Sequence, residues 1–143
     1  MVDVADYSSV LVDADILVAL AKKDDSNHKK AVEINNLLQE KGVTFYVSLF
    51  TIAEATTVLS YKVSHKAAKE FLRDIRKIDL PVLELSEKYK DLADEWFLKQ
   101  TKKGASYFDC YNMALLERYK AQIKGIFSFD SIYKKNGFET ISL

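Results

Sequence analysis

Asp13, Glu54, Asp109 and Asp130 each close or follow an apolar run, where a carboxylate is costly unless something pairs with it. The runs are Val10-Leu11-Val12 before Asp13, Phe45-Tyr46-Val47 and then Ile52-Ala53 before Glu54, Tyr107-Phe108 before Asp109, and Ile126-Phe127-Ser128-Phe129 before Asp130. Two like charges about 4 Å apart repel by roughly 4 kcal/mol at an effective dielectric of 20. Four carboxylates that converge must therefore take up protons or bind a cation. Oxygen-only ligands favour hard ions such as Mg²⁺ or Mn²⁺. Such an ion acidifies a bound water, and the carboxylates that hold it can orient that water for in-line attack on phosphorus. The chemistry suggested is phosphodiester hydrolysis that needs neither a histidine nor a cysteine nucleophile.

The composition is compatible with that chemistry and excludes several others. A chain of 143 residues, 48% hydrophobic and 12% aromatic, is expected to form one globular domain over residues 1–143. Lys+Arg and Asp+Glu both number 21, so the formal net charge is zero. That balance does not point to nucleic acid as a basic chain would, and it leaves room for charge segregated on the surface. The single cysteine, Cys110, excludes an internal disulfide and a cysteine-only zinc cluster. With only His28 and His65, a histidine-rich zinc site is not expected either. The apolar run Ile16 to Ala21 is too short to span a bilayer. The opening residues 1–6 are acidic and lack the basic-then-apolar order of a secretion signal. The expectation is a soluble cytoplasmic protein.

Positioning the acids falls to alternating strands and helices. Ser9-Val10-Leu11-Val12 reads as a short buried strand, with Asp15 as N-cap of a helix through Ile16 to Ala21. Ala31, Ile34, Leu37 and Leu38 mark a second helix ending near Lys41-Gly42. Thr44 to Val47 reads as a strand, and Ser48 caps a helix to about Leu59. Ser64 starts another helix, and Leu80 to Leu85 reads as a third strand. Ser86 is expected to cap a long helix with Tyr89, Leu92, Ala93, Trp96 and Phe97 on one face, ended by Gly104. Ser106 and Asp109 have capping-box spacing for a helix to about Lys120. Ile126 to Phe129 and Glu139 to Leu143 read as the fourth and fifth strands. Alternation of this kind implies a mainly parallel sheet covered on both faces, with ligands beyond the carboxyl ends of its strands.

In order and spacing, these segments resemble the PIN-domain nucleases, and within them the VapC-type toxin ribonucleases. The segment Val10-Leu11-Val12-Asp13-Ala14-Asp15-Ile16-Leu17 is similar to the family's opening strand and first acid. Asp24-Asp25-Ser26-Asn27-His28 with Ala31 resembles the next loop and helix, and Val47-Ser48-Leu49-Phe50-Thr51-Ile52-Ala53-Glu54 the segment with the second acid. Tyr107-Phe108-Asp109-Cys110-Tyr111-Asn112-Met113-Ala114 resembles the helix start with the third acid. Phe127-Ser128-Phe129-Asp130-Ser131-Ile132-Tyr133 and Gly137-Phe138-Glu139-Thr140-Ile141 resemble the closing motif. The resemblance covers nearly the whole chain. It implies a three-layer α/β/α sandwich with about five strands and a Mg²⁺- or Mn²⁺-dependent endoribonuclease. It further implies an RNA substrate, a homodimer and, if the chain is a toxin, an antitoxin partner. Two positions depart from the usual pattern: Asp15 stands where Ser, Thr or Asn is frequent, and Cys110 where a small residue is usual.

Catalysis and metal binding are accordingly expected from Asp13, Glu54, Asp109 and Asp130. Ser128 and Asp15 are candidates to orient them, Asp15 also serving as a cap. Asn112 lies three residues after Asp109 on the same helix face and reads either as a partner of the site or as a solvated amide. The pairs Lys22-Lys23, Lys102-Lys103 and Lys134-Lys135 lie within about ten residues of a proposed acid. They are weak candidates for RNA contact, since phosphates are held mainly by Lys and Arg. Two other readings stay open. Leu11-Val12-Asp13-Ala14-Asp15 resembles the strand and Asp-x-Asp of haloacid-dehalogenase-type phosphatases, although Ser128-Phe129-Asp130-Ser131 supplies one acid where that family has more. The third is a PIN-like module that binds RNA without cutting it.

Overall fold

The structure, a computed structural model, describes residues 8–141. The reading of residues 1–6 and the last two residues of the expected fifth strand lie outside them. Strand β1 (Ser9–Val12) is buried at all four positions, as a central parallel strand must be when both faces are covered. It pairs in parallel with β2 (Thr44–Ser48) on one side and β4 (Gly125–Phe127) on the other. The edges are β3 (Val82–Leu83) and β5 (Thr140–Ile141), and the order β3-β2-β1-β4-β5 is parallel throughout.

Strand alternation sorts the core into two layers. Val10, Val12, Val47 and Phe127 face Ile16, Ile34, Leu38, Leu59 and Phe71, which belong to α1 (Ala14–Ala21), α2 (His28–Glu40), α3 (Leu49–Lys62) and α4 (His65–Ile78). Leu11 and Ile126 face the other way, onto Met113, Leu115 and Leu116 of α6 (Tyr107–Arg118) and onto Tyr133. The result is the expected three-layer α/β/α sandwich. The chain leaves β1 toward β2 and β3 and returns to β4 on the opposite side. The strand order thus reverses beside β1, opening a crevice at the carboxyl ends of β1 and β4.

Local details differ from the sequence reading for physical reasons. Asp13, not Asp15, caps α1, its side chain accepting from Ala14 N–H. Asp15 lies in the first helical turn. Ser48 and Ser64 cap α3 and α4 as expected, and Ser106 with Asp109 forms a full capping box. The long helix expected from Ser86 to Gly104 is a 3₁₀ turn (Glu87–Tyr89) followed by the short α5 (Leu92–Leu98), and Ser86 makes no capping bond. Lys90 and Asp91 between them keep right-handed helical backbone, so the apolar positions stay on one side while the hydrogen-bond ladder lapses. Of that stripe Ala93 is fully buried, and Phe97 is 45% exposed. The third strand is cut to two residues: at its start Pro81 has no N–H to donate and contributes only its carbonyl, to Val47 N–H, and beyond its end Leu85 N–H goes to the Tyr111 hydroxyl. The fourth strand ends at Phe127, so Ser128 and Phe129 leave the ladder. A one-turn helix, α7 (Ile132–Lys135), follows and has no counterpart in the sequence reading. Among the described residues no helix is long and apolar enough to cross a membrane.

Candidate metal centre

The fold brings five acidic residues to the crevice. Asp13 follows β1, Asp15 opens α1, Glu54 lies in the second turn of α3, Asp109 is the third residue of α6, and Asp130 precedes α7. Asp13 is 5% exposed, and both its oxygens are engaged. Its Oδ1 accepts from Ala14 N–H at 2.8 Å and from the Asn112 amide at 3.3 Å. Its Oδ2 accepts from the Ser128 hydroxyl at 2.8 Å. Asp15 Oδ2 accepts from Phe129 N–H at 2.8 Å, which ties α1 to the segment after β4. Asp109 Oδ2 accepts from Ser106 N–H at 2.9 Å, and Oδ1 from the Tyr133 hydroxyl at 3.2 Å. Asp130 Oδ1 accepts from Ile132 N–H at 2.9 Å and so starts α7.

The acids lie close enough to act on one another's charge. Burial, then the charge of Asp15, pushes the Asp13 carboxyl up to about 8, with Asp109 adding to the rise while Ser128 and Ala14 oppose it. Burial takes Asp15 up to about 6, opposed by Phe129 N–H and reinforced by Asp130. Glu54 is raised by burial, then by Asp109 and Asp15. Asp109 is raised by burial, with Asp130 adding to it. Among the described residues no lysine or arginine forms an ion pair with any of the five.

Two oxygens lack partners. Asp15 Oδ1 and Asn112 Oδ1 are buried with no hydrogen bond among the described residues. A buried carboxylate oxygen left this way is costly. Together with an all-oxygen donor set and unbalanced negative charge, it fits a hard divalent cation such as Mg²⁺ or Mn²⁺. Among the described residues no three His, Cys, Asp or Glu side chains stand in ready-made ligating geometry. Like-charged carboxylates hold one another apart, and closing around an ion would relieve that repulsion.

All four proposed ligands thus lie at the same sheet edge, with Asp15 and Ser128 among them. Asn112 is buried at 2% exposure and bonded to Asp13, so the solvated-amide reading does not hold. Lys22 is paired with Asp24 at 3.1 Å, while Lys23 is exposed and has no ion pair among the described residues. Lys102 and Lys103 line a cavity that Asp130 also borders.

Tyr133 was missed as a site residue. Fully buried, it accepts from the Asn112 amide at 3.1 Å and donates to Asp109, completing a hydrogen-bonded chain from Asp13 to Asp109. Burial and the charges of Asp13 and Asp109 push its phenol far above the usual range, so it remains a donor. Its spacing of three from Asp130 was the available signal, but a one-turn helix leaves no periodic pattern. Phe50 and Phe108 were missed too. They are 42% and 40% exposed, with rings 6.0 Å apart, at the starts of the helices that carry Glu54 and Asp109.

Comparison with known proteins agrees with this architecture. No curated protein matches the chain. The crystal structure of Mycobacterium tuberculosis VapC20, a Sarcin-Ricin loop cleaving toxin, superposes with a TM-score of 0.79 over 94% of this chain and 99% of that one, at 21% identity. At that identity the likeness shows the fold. The family model of the PIN domain matches residues 10–139, nearly the full described length, and the chain therefore belongs to the PIN domain family.

Proposed function

We propose that this PIN domain, spanning residues 1–143, is a divalent-metal-dependent endoribonuclease. The observation that carries the reading is the gathering of carboxylates, Asp13 buried and Asp15, Glu54 and Asp109 half-buried, with no ion-paired lysine or arginine among the described residues to balance them. Asp13, Glu54, Asp109 and Asp130 would hold Mg²⁺ or Mn²⁺. When bound, the ion would supply an acidified water and neutralise charge on the phosphate.

The chain's own residues prepare that site. Ser128 and Asn112 fix the two oxygens of Asp13, and Tyr133 fixes Asp109 relative to Asn112. Asp15 holds Phe129 N–H with one oxygen and leaves the other without a protein partner, free to accept from a water of the ion. A phosphatase that uses Asp13 as a nucleophile is disfavoured because Ser128-Phe129-Asp130-Ser131 supplies one acid where that chemistry has more. Membership of the PIN family points the same way.

The likeness to VapC20 supports a toxin of a toxin–antitoxin pair acting in the cytoplasm. The family resemblance supports a homodimer. The name of VapC20 as a Sarcin-Ricin loop cleaving toxin makes that loop a sensible member of the substrate panel. The test is incubation of structured and single-stranded RNAs with the purified protein in Mg²⁺, Mn²⁺ or EDTA. Internal cleavage that EDTA abolishes is the expected result. RNA binding without cleavage in any metal would favour the non-catalytic module instead.

Tyr133→Phe keeps the buried ring and removes the hydroxyl between Asn112 and Asp109. Loss of an outer partner of a metal ligand typically costs 10–100-fold in affinity or activity. Cleavage is expected to fall by about tenfold, and the metal concentration for half-maximal rate to rise, with an unchanged circular dichroism spectrum. An unaltered metal dependence would reduce Tyr133 to a packing residue.

A further inference from the structure

A cavity of about 400 Å³ lies beside the acidic crevice, lined by Lys99, Lys102, Lys103 and Lys135 and bordered by Asp130. Among the described residues none of these four lysines takes part in an ion pair. The chain as a whole carries no net charge, so four lysines lining one opening are a segregation of charge and not a general basicity. The walls are also held in place. The Gln100 amide donates to Asn136 Oδ1 at 3.0 Å and to the Trp96 carbonyl at 3.1 Å, which pins the loop after α5 to α7. The Lys99 amine sits 3.7 Å from the centre of the Trp96 ring. Gly104, at φ +132°, lets the loop turn back toward α6 in a conformation that other residues rarely adopt.

Resting on the nuclease reading, we propose that this cavity receives a backbone phosphate of the RNA strand next to the phosphate being cut. Asp130 joins the two sites, since it borders the cavity and its charge acts on Asp15 and Asp109. Acids alone repel a polyanion, and adjacent amines draw the strand toward them. Lysines act on phosphate as point charges, not as the bidentate forks of arginine. The contact therefore grips RNA without reading its sequence. The bland alternative for Lys135 is stabilisation of the end of α7, and for Lys99 the contact of its amine with the Trp96 ring. Neither accounts for Lys102 and Lys103 facing the same opening.

The test is fluorescence anisotropy with labelled 12-nucleotide single-stranded RNAs of several sequences, in EDTA so that no turnover occurs. Lys102→Glu/Lys103→Glu and Lys99→Ala/Lys135→Ala are compared with wild type and with Lys66→Glu/Lys77→Glu, which places the charge change of the first variant on α4. The expected result is Kd raised at least ~10-fold for every sequence in the first two variants. The log–log salt dependence should flatten by about 0.7 in slope for each phosphate that is no longer held. Mn²⁺ affinity in the absence of RNA should be retained, which separates a weakened phosphate grip from unfolding. Affinity and slope equal to wild type, or an equal weakening in the α4 variant, would overturn the proposal. Because binding is read without cleavage, a failed cleavage assay would leave this result standing on its own.

Discussion

Asp13→Asn is expected to lower RNA cleavage by at least ~100-fold while raising the melting temperature of the metal-free protein above about pH 8. The two effects have one origin. Asp13 is nearly inaccessible, and its charge is opposed by burial, by Asp15 and by Asp109. An amide of the same shape keeps an oxygen for Ala14 N–H, and its NH₂ can donate to the Ser128 hydroxyl, which turns to accept. The fold therefore keeps its hydrogen bonds and, above about pH 8 where Asp13 is ionised, loses a buried charge. Ion binding loses a carboxylate, which should cost more than the 10–100-fold typical of an outer partner. Cleavage of a labelled RNA and a thermal melt in EDTA check both halves. A variant that melts lower, or that still cleaves, would mean that the Asp13 charge is balanced in a way the geometry does not show.

The melting temperature of the chelated protein is also expected to fall as pH rises from about 4 to about 8, and divalent cation should restore it at the alkaline end. Asp13 moves from 3.8 in a free chain to about 8 in the fold, and Asp15 from 3.8 to about 6. Between those values the folded state holds protons that the unfolded chain has released, so stability declines with pH. The contribution is complete below about 4 and gone above about 8, with the Asp15 part lost first. Glu54 and Asp109 shift in the same direction. A cation competes with those protons. At one hundred times its dissociation constant a ligand stabilises by about 2.7 kcal/mol, roughly 5–10 °C for a chain of this size. Mn²⁺ should give that shift at pH 8 and much less at pH 5. Melts across this range, with EDTA and with Mn²⁺, decide the matter. A cation effect independent of pH would place the ion away from these acids.

Much of the architecture was legible because burial and capping leave direct marks. Three consecutive apolar residues, Val10 to Val12, announced β1, and Ser48, Ser64 and Ser106 stood where their helices begin. The placement of acids after strands was legible for the same reason, since a parallel sheet collects those positions at one edge. Asp13 and Asp15 were harder to assign. Both are good caps two residues apart, and the choice depends on which helix start lets Ile16 and Leu17 reach the core. Tyr133 was hidden, and Asn112 stayed open between a partner of the site and a solvated amide, because their roles arise from contacts across distant elements, Asn112 to Asp13 and Tyr133 to Asp109. Nor did spacing show that the face from Tyr89 to Phe97 would be built by a 3₁₀ turn and a short helix, since Lys90 and Asp91 keep the same side exposed in either case.

The central claim is that these acids form one divalent-cation site, and a Mn²⁺ titration followed by electron paramagnetic resonance addresses it most directly. Wild type and Asp13→Asn would be compared at pH 8. Saturable loss of the free Mn²⁺ signal with wild type, abolished or strongly weakened in the variant, is the predicted result. Equal binding by the two proteins, or none by wild type at millimolar Mn²⁺, would contradict it.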